Sequence, residues 1–169
     1  TSQSEVIRRA LAAVERLRRL PGVESAALTT LVPYNSSITT TRLARAEQAP
    51  VVTGSNAPTA RMIGIYSSIP PGYFKSIGVR VLRGRDFTEA ETRTGGATPV
   101  CIIDERMAEK LFAGEDPIGR RVRYAEPTAG GALGEMEIVG IVNRHAHGME
   151  DRGKPVPGIY VPLAQEYNA

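Results

Sequence analysis

A short apolar run, an acidic capping residue and an amphipathic helix follow one another between Val100 and Gly114. The run VCIID is typical of a buried strand, and Asp104 at its end can cap a following helix. Four apolar residues then share one helical face before Gly114 ends the pattern: Met107, Ala108, Leu111 and Phe112. A strand that leads directly into such a helix predicts a sheet packed against a helical layer.

The composition is that of an ordinary globular protein with many turns. The chain has 169 residues, of which 41% are apolar and 23% charged, and it contains 17 glycines and 12 prolines. Aromatic residues make up only 5%, so we expect short elements around a mainly aliphatic core. This length fits one domain or two small subdomains. The opening residues look like the start of a helix, and we expect the chain to be a fragment of a longer protein.

The chain is mildly basic, with a formal net charge of +3. A nucleic-acid-binding sheet would interleave basic residues with stacking aromatics, whereas the three Phe and six Tyr are scattered here. We therefore expect no nucleic-acid partner. The single cysteine, Cys101, lies among apolar neighbours and is expected to be buried and inert.

The N-terminal half predicts one long helix followed by strands. Ser2 and Glu5 have capping-box spacing, and Pro21 with Gly22 ends the helical pattern. The apolar residues that recur at helical intervals in this helix are Val6, Ile7, Ala10, Leu11, Val14 and Leu17. Strands are expected at residues 23–33, 38–43, 51–52 and 62–69, with loops or a loose hairpin between 35 and 60.

The C-terminal half predicts further short elements. GYFKSIG suggests one or two helical turns closed by Gly78, and VRVLRGRDF suggests a strand ending in a turn. TEAETRTGGATP is polar and is expected to be exposed. A hairpin should pair residues 120–125 with 135–143, and GIYVPL should be a strand that Pro162 places at a sheet edge or strand end. The predicted fold is α+β, with at least two helix-plus-sheet layers.

The stretch PPGYFKSIGVRVLRGRDF, residues 70–87, has the glycines and basic residues of a phosphate site without their usual arrangement. Neither G-x-x-x-x-G-K-[ST] nor G-x-G-x-x-G occurs in the sequence. We instead expect Gly84 to make a turn and Arg85 to pair with a carboxylate such as Asp86 or Glu89.

His145 and His147 lie close to Glu150 and Asp151, a group that could supply metal ligands or a general base. The sequence has neither a known metal-ligand spacing nor a G-x-S-x-G nucleophile motif, so a solvated loop is the preferred interpretation. Acidic pairs elsewhere fit helix caps and turns. The residues alone predict no catalytic group, metal site or cofactor.

Five blocks of sequence cover most of the chain: RLRRLPGVESAALTTLVP, PPGYFKSIGVRVLRGRDF, PVCIIDERMAEKLFAGEDPIGRRVR, EIVGIVNRHAHG and GIYVPLAQ. In this order they resemble the periplasmic core domain of MacB-type ABC transporter permeases. The similarity is greatest to the second half of the duplicated permeases called acidobacterial-type orphan permeases. The resemblance implies an extracytoplasmic, periplasmic part of an inner-membrane protein, flanked by transmembrane helices.

The resemblance also implies two lobes. Residues 1–78 and 157–169 would form a porter-like α/β subdomain, and residues 79–156 an inserted mixed α/β lobe similar to the one called Sabre. The crossing between the lobes would be structural, with no ligand, and would use Gly72, Tyr73, Phe74, Gly78, Gly84 and Arg85. The glycines would supply special backbone angles and the aromatic residues would supply packing.

The implied function is non-enzymatic. Relatives use ATP hydrolysis in the cytoplasm to move their periplasmic domains, a mechanotransmission that serves transport and efflux. This domain would transmit conformational change and dock a periplasmic partner protein or an amphiphilic or peptide substrate, with no cofactor of its own. Whether the parent permease forms a dimer is left open by the resemblance. Two alternatives also stay open: an extracytoplasmic module that senses a small molecule or peptide in an interlobe pocket, and a metal-dependent hydrolase with a histidine buried beside a carboxylate.

Overall fold

A computed structural model describes residues 3–30, 39–48, 62–94, 98–125, 134–146 and 156–167. The helices within these ranges are α1 (Gln3–Arg18), α2 (Tyr73–Ser76), α3 (Glu89–Thr94), α4 (Glu105–Phe112) and α5 (Leu163–Tyr167). The strands are β1 (Thr40–Arg45), β2 (Met62–Ile69), β3 (Val81–Gly84), β4 (Val100–Asp104), β5 (Arg121–Tyr124), β6 (Glu135–Val142) and β7 (Gly158–Pro162). The fold is α+β, as predicted. Among these helices, none is long and apolar enough to cross a membrane.

The strands of these ranges form one mixed sheet in the order β3-β6-β4-β7-β2-β1-β5. β5 also pairs with β6, so six strands close into a ring and β3 lies outside it, on β6. β6 can contact three strands because one of its edges is shared: residues 135–137 pair with β5 and residues 140–142 with β3. Its other edge runs parallel to β4.

Most predicted elements are confirmed, because local patterns specify them. β2 has the predicted bounds, and the strand, cap and helix between Val100 and Phe112 form as β4 and α4. The predicted hairpin is β5 paired antiparallel with β6. α1 ends at Arg18 as its apolar pattern indicates, while the predicted cap at Ser2 lies outside the described residues.

β7 lies in the middle of the sheet, between β4 and β2, and all of its residues are buried. The prediction of a sheet edge for this strand was wrong. The alternative prediction, that Pro162 lies at the end of a strand, is confirmed, since Pro162 is the last residue of β7. Proline is tolerated there because the ladder does not continue beyond it.

The strand expected from residue 23 is wrong for the described part of that segment, residues 23–30. The segment lies beside β2, where the Thr30 N–H donates to the Ser68 carbonyl at 3.2 Å. In return, the Ser68 N–H donates to the Thr30 hydroxyl oxygen at 3.0 Å. A side chain thus replaces the backbone acceptor of a regular ladder. Residues 31–33 and the strand expected at 51–52 lie outside the described residues.

The residues after Phe87 are mostly exposed, as predicted, and residues 89–94 form a helix, α3, that the sequence analysis did not predict. The helix begins with a reciprocal capping box. The Glu91 N–H donates to the Thr88 hydroxyl at 3.2 Å, and the Thr88 N–H donates to a Glu91 carboxylate oxygen at 2.8 Å. The side chain of Thr92 is fully buried.

Two apolar clusters cover the faces of the sheet. β4 contributes alternate residues to each, as expected of a strand buried on both sides. Cys101 and Ile103 belong to the first cluster, which packs against α4, and Ile102 belongs to the second, which packs against α2.

The sheet crosses the predicted lobe boundary twice. β1, from segment 1–78, pairs with β5, and β7, from segment 157–169, pairs with β4. Both apolar clusters also contain residues from both segments. The division into a porter-like subdomain and a Sabre-like lobe stays a prediction about chain segments; within the described residues, a single sheet joins them.

Candidate functional site at the predicted lobe crossing

The crossing segment, residues 72–85, consists of α2, β3 and the turns around them. Gly72, Gly78 and Gly84 have φ angles of 77°, 72° and 71°. These values lie in the left-handed region, which glycine adopts without the steric cost of a Cβ. Gly72 precedes α2, Gly78 follows it, and Gly84 ends β3. The three glycines therefore allow a helix and a strand to follow each other with only residues 77–80 between them.

Gly84 lies against the backbone of β6. A Cβ added at Gly84 would come within 2.2 Å of the Val139 carbonyl oxygen. Its register partner is Gly140, where an added Cβ would come within 2.4 Å of the Arg85 carbonyl oxygen. Both positions therefore need glycine, because β3 and β6 approach too closely for any side chain.

Tyr73 and Phe74 are buried and join α2 to the sheet. The ring of Phe74 packs edge-on against Tyr160 of β7, with centroids 4.8 Å apart. Tyr73 contacts Phe74 in the same manner at 5.7 Å. Burial raises the pKa of the Tyr73 hydroxyl, against the smaller effect of a hydrogen bond with Thr29. These contacts fit the packing role that the resemblance implies for both aromatic residues.

Asp86 fastens the two ends of the crossing segment together. Its carboxylate accepts a hydrogen bond from the Gly72 N–H at 3.0 Å and another from the Phe87 N–H at 2.8 Å. The first bond spans the whole of α2 and β3. Sequence reasoning missed this role, since it considered Asp86 as a partner for Arg85.

Arg85 has a carboxylate partner, but the partner is Glu91 and not Asp86 or Glu89. Two guanidinium nitrogens donate to the two Glu91 oxygens at 3.0 and 2.7 Å. This bond raises the pKa of Arg85 and lowers that of Glu91. Glu91 can reach Arg85 because α3 forms.

A second polar group lies where β4 and β6 end and β7 begins. Asp104 is fully buried and caps α4 by accepting from the Met107 N–H at 2.8 Å. Arg106 lies 3.4 Å from this carboxylate and donates to the His145 carbonyl at 2.9 Å. Burial raises the pKa of Asp104, although backbone N–H donors and the Arg106 and His145 charges oppose the shift. The group holds an ionisable carboxyl in the interior beside a cation.

His145 is half-buried and stacks on Tyr160, with ring centroids 5.9 Å apart. Its Nδ1 lies 3.0 Å from the Asn143 carbonyl oxygen, and its Nε2 lies 2.6 Å from the Tyr160 hydroxyl. Since a carbonyl only accepts, the Nδ1 N–H donates to the Asn143 carbonyl, and Nε2 shares a second hydrogen bond with the Tyr160 hydroxyl. Both ring nitrogens thus have partners within the fold.

His145 thus lies in a loop, as predicted, but its half-buried ring packs against the fold and does not project freely into solvent. His147, Glu150 and Asp151 lie outside the described residues. Within the part of the chain that the structure describes, no three His, Cys, Asp or Glu side chains are grouped to hold a metal ion. Cys101 is buried, as predicted, and burial raises the pKa of its thiol.

The crossing segment and the polar group are connected. Asn143 accepts from the Arg80 N–H at 2.6 Å and donates its own N–H to the Arg80 carbonyl at 3.1 Å. Next to it, Arg144 binds Glu105 and Glu109 of α4. We call these contacts, with those of Asp86, Glu91 and Tyr160, the crossing network. It links α2, β3, α3, α4, β6 and β7.

Comparison with known proteins identifies the family. A family model described as the MacB-like periplasmic core domain matches residues 3–169. The chain belongs to this family. The MacB-like domain is thus an extracytoplasmic part, periplasmic or extracellular, of an ABC-type permease, as the sequence predicted. The search of curated proteins found no match.

Solved structures show the same fold at low sequence identity. The periplasmic region of MacB from Actinobacillus actinomycetemcomitans matches with a TM-score of 0.60 and 16% identity, over 94% of this chain and 56% of that one. The extracellular domain of the noncanonic ABC-type transporter YknZ from Gram-positive bacteria gives 0.59 and 20%, over 94% and 64%. A domain of a putative permease from Porphyromonas gingivalis gives 0.55 and 20%, over 90% and 50%. The MacB-like domain thus spans between half and two thirds of each of these chains.

Proposed function

We propose that this domain transmits conformational change in its parent permease by moving as one rigid body, and that it docks a partner protein or an amphiphilic or peptide export substrate. Transmembrane helices of the parent would flank it. The domain would contribute no catalytic group and no cofactor. An ATPase, fused or recruited, would supply the motion from the cytoplasmic side.

The closed ring of six strands is the observation that carries this proposal. A strand inside a ring is hydrogen-bonded on both edges, so it cannot slide without breaking a ladder. The two predicted lobes share this ring through the β1–β5 and β4–β7 pairs. Each ladder bond contributes about 1 kcal/mol, and movement between the lobes would break both pairs together. A push on one segment is therefore passed to the other.

The crossing network supports the same conclusion. Asp86 directly follows the crossing segment and accepts a hydrogen bond from the Gly72 N–H at its start, so it holds the two ends of the segment close together. Tyr160 contacts Phe74 on α2 and His145 after β6, so one buried ring joins two otherwise separate elements. Contacts of this kind suit a rigid element that presents its surface in different positions.

The proposal is tested in the parent permease together with its ATPase. One spin label is placed on β5 by Arg121→Cys, where the side chain is 59% exposed, and another on the neighbouring membrane-spanning helix. We expect the distance between the labels to shift when nucleotide is added. An ATPase variant that binds nucleotide without hydrolysing it separates binding from turnover. An unchanged distance in all nucleotide states would overturn the proposal.

A further inference from the structure

We propose that an exposed apolar stripe on α1 docks an amphipathic helix with acidic residues along its edge, supplied by a partner protein. This inference rests on the proposed function, because it gives the partner a chemical class. The α1 stripe consists of three exposed residues, Val6, Ala13 and Leu17, and of the half-buried Ala10.

The α1 stripe is distinct from the side of α1 that packs on the domain. Val14 is only 6% exposed and marks the inward side. Val6 and Leu17 are 54% and 48% exposed. At about 100° per residue, they lie roughly 80° and 60° around the helix from Val14, both in the same direction. α1 therefore has a second apolar side that its own domain leaves uncovered within the described residues.

The spacing of the α1 stripe is that of a helix-packing ridge. Its members follow each other at intervals of three and four residues, which places them in one row along the helix. Single exposed apolar residues are common and need no partner. A row with small residues between two large ones is different, because it allows a second helix to approach closely. Leu20, 53% exposed, extends the apolar surface beyond the end of α1.

The charge beside the stripe indicates an acidic partner. α1 and the turn after it contain five arginines and two glutamates, an excess of three positive charges. Arg9, which pairs with Glu5, and Arg16 lie seven residues apart and border the α1 stripe on its outer side. A docked helix would place its own edge beside them, where carboxylates are attracted and basic residues repelled. A second copy of α1 would bring the same positive charge, so self-association is disfavoured.

The position of the stripe favours a helix over a membrane surface. A flat bilayer would contact the side of α1 opposite Val14, where Glu5, Ala12 and Arg16 lie. That side has no large apolar residue, and α1 has no aromatic residue. Membrane-surface helices bury a broad apolar face instead. The α1 stripe faces sideways relative to Val14, so a helix that lies alongside α1 can contact it.

The inference is tested on the 169-residue domain with three probes. The first is a synthetic amphipathic helical peptide with leucine and alanine on one face and glutamate on its edges. The second is the same peptide with lysine in place of glutamate. The third is a vesicle of phosphatidylglycerol. We expect the domain to bind the glutamate peptide, with an affinity that falls as salt is added, and to bind the other two far more weakly.

Matched variants locate the binding. Leu17→Glu should weaken binding of the glutamate peptide by about tenfold or more, since it removes an anchor and adds a like charge. Leu82→Glu, on β3 at 41% exposure, should leave binding unchanged. Arg9→Glu combined with Arg16→Glu should weaken binding too, whereas Arg121→Glu on β5 should not. Thermal unfolding should show all variants folded, because each altered side chain is exposed.

Several outcomes would overturn the inference: no binding of the glutamate peptide, equal binding of both peptides, or vesicle binding that Leu17→Glu abolishes. Self-association in sedimentation that Leu17→Glu abolishes would also overturn it, by showing a second copy as occupant. Its failure is distinguishable from failure of the proposed function. The spin-label distance in the parent permease can shift without peptide binding, and the peptide can bind when that distance does not shift.

Discussion

Gly84 of β3 and Gly140 of β6 face each other as register partners, and neither position has room for a Cβ. The contact lets the outermost strand lie against the ring at the end of the crossing segment. Substitution of either glycine therefore tests how closely β3 approaches β6.

Gly84→Ala is expected to lower the free energy of unfolding by about 2 to 4 kcal/mol, from positive-φ strain together with overpacking. Gly114→Ala is the matched control, since Gly114 has a φ of 92° but nothing within 4 Å of an added Cβ. Gly114→Ala should lower the free energy of unfolding by about 1 kcal/mol, from the positive-φ strain alone. Urea denaturation measures both. Equal losses in the two variants would contradict the close approach of β3 to β6.

Glu91→Gln is expected to cost about 1 kcal/mol, because it weakens the paired bonds to Arg85. The pKa of Glu91 is lowered in the folded protein, so its charge stabilises the fold above the ordinary carboxyl pKa, about 4.3. This stabilisation is lost as the pH falls through the lower, folded-state pKa. The difference between wild type and Glu91→Gln should therefore shrink in acid. Asp116→Asn is the comparison: Asp116 pairs with Arg83 and both side chains are more than half exposed, so little change is expected.

Asp104→Asn should show the opposite dependence on pH. The pKa of Asp104 is raised in the folded protein by burial. The protonated Asp104 carboxyl stabilises the fold below its pKa in the unfolded chain, about 3.9. This stabilisation is lost as the pH rises toward the higher pKa of the folded protein. Asparagine keeps the helix cap without the charge, so the variant should gain stability relative to wild type over that rise. Asp104→Ala removes the cap and should cost about 1 kcal/mol or more. If the stability of the wild type instead rises relative to that of Asp104→Asn as the pH increases, the attraction of Arg106 for the carboxylate has a larger effect on the pKa of Asp104 than burial has.

Tyr160→Phe should cost about 1 kcal/mol in the free energy of unfolding, because the His145 ring loses its hydrogen bond with the Tyr160 hydroxyl. The Phe74 contact should persist, since the ring is kept. Tyr160→Leu should cost more, by removing both contacts. Guanidinium denaturation compares the three proteins. Equal stability of wild type and Tyr160→Phe would show that the hydroxyl does not hold the loop after β6.

Local signals in the sequence accounted for the elements that formed as predicted. The apolar period defines α1, and a buried run with a capping aspartate defines β4 and α4. The capping box of α3 was equally readable in Thr88 and Glu91, but the polar composition obscured it. Once that helix is recognised, Glu91 becomes the natural partner of Arg85.

Other features depend on contacts between distant residues, which no local pattern reveals. The central place of β7 follows from its pairing with β2 and β4, and a proline near its end suggested an edge instead. The closure of the ring through β5 and β6 depends on how their hairpin meets β1. His145 and Tyr160 are 15 residues apart, and only the packed fold brings a loop residue onto a buried strand. The positive φ angles of the crossing glycines were, by contrast, anticipated from glycine itself.

Rigid movement of the whole domain is the central claim, and a distance inside the domain tests it most directly. Spin labels at Arg8→Cys on α1 and Arg121→Cys on β5 report on the two predicted lobes, and both native side chains are exposed, at 78% and 59%. We expect their separation in the parent permease to stay the same under the nucleotide conditions that move the domain relative to the membrane. A shift or a second population in the Arg8–Arg121 distance would contradict the claim, because it would show the lobes moving against each other.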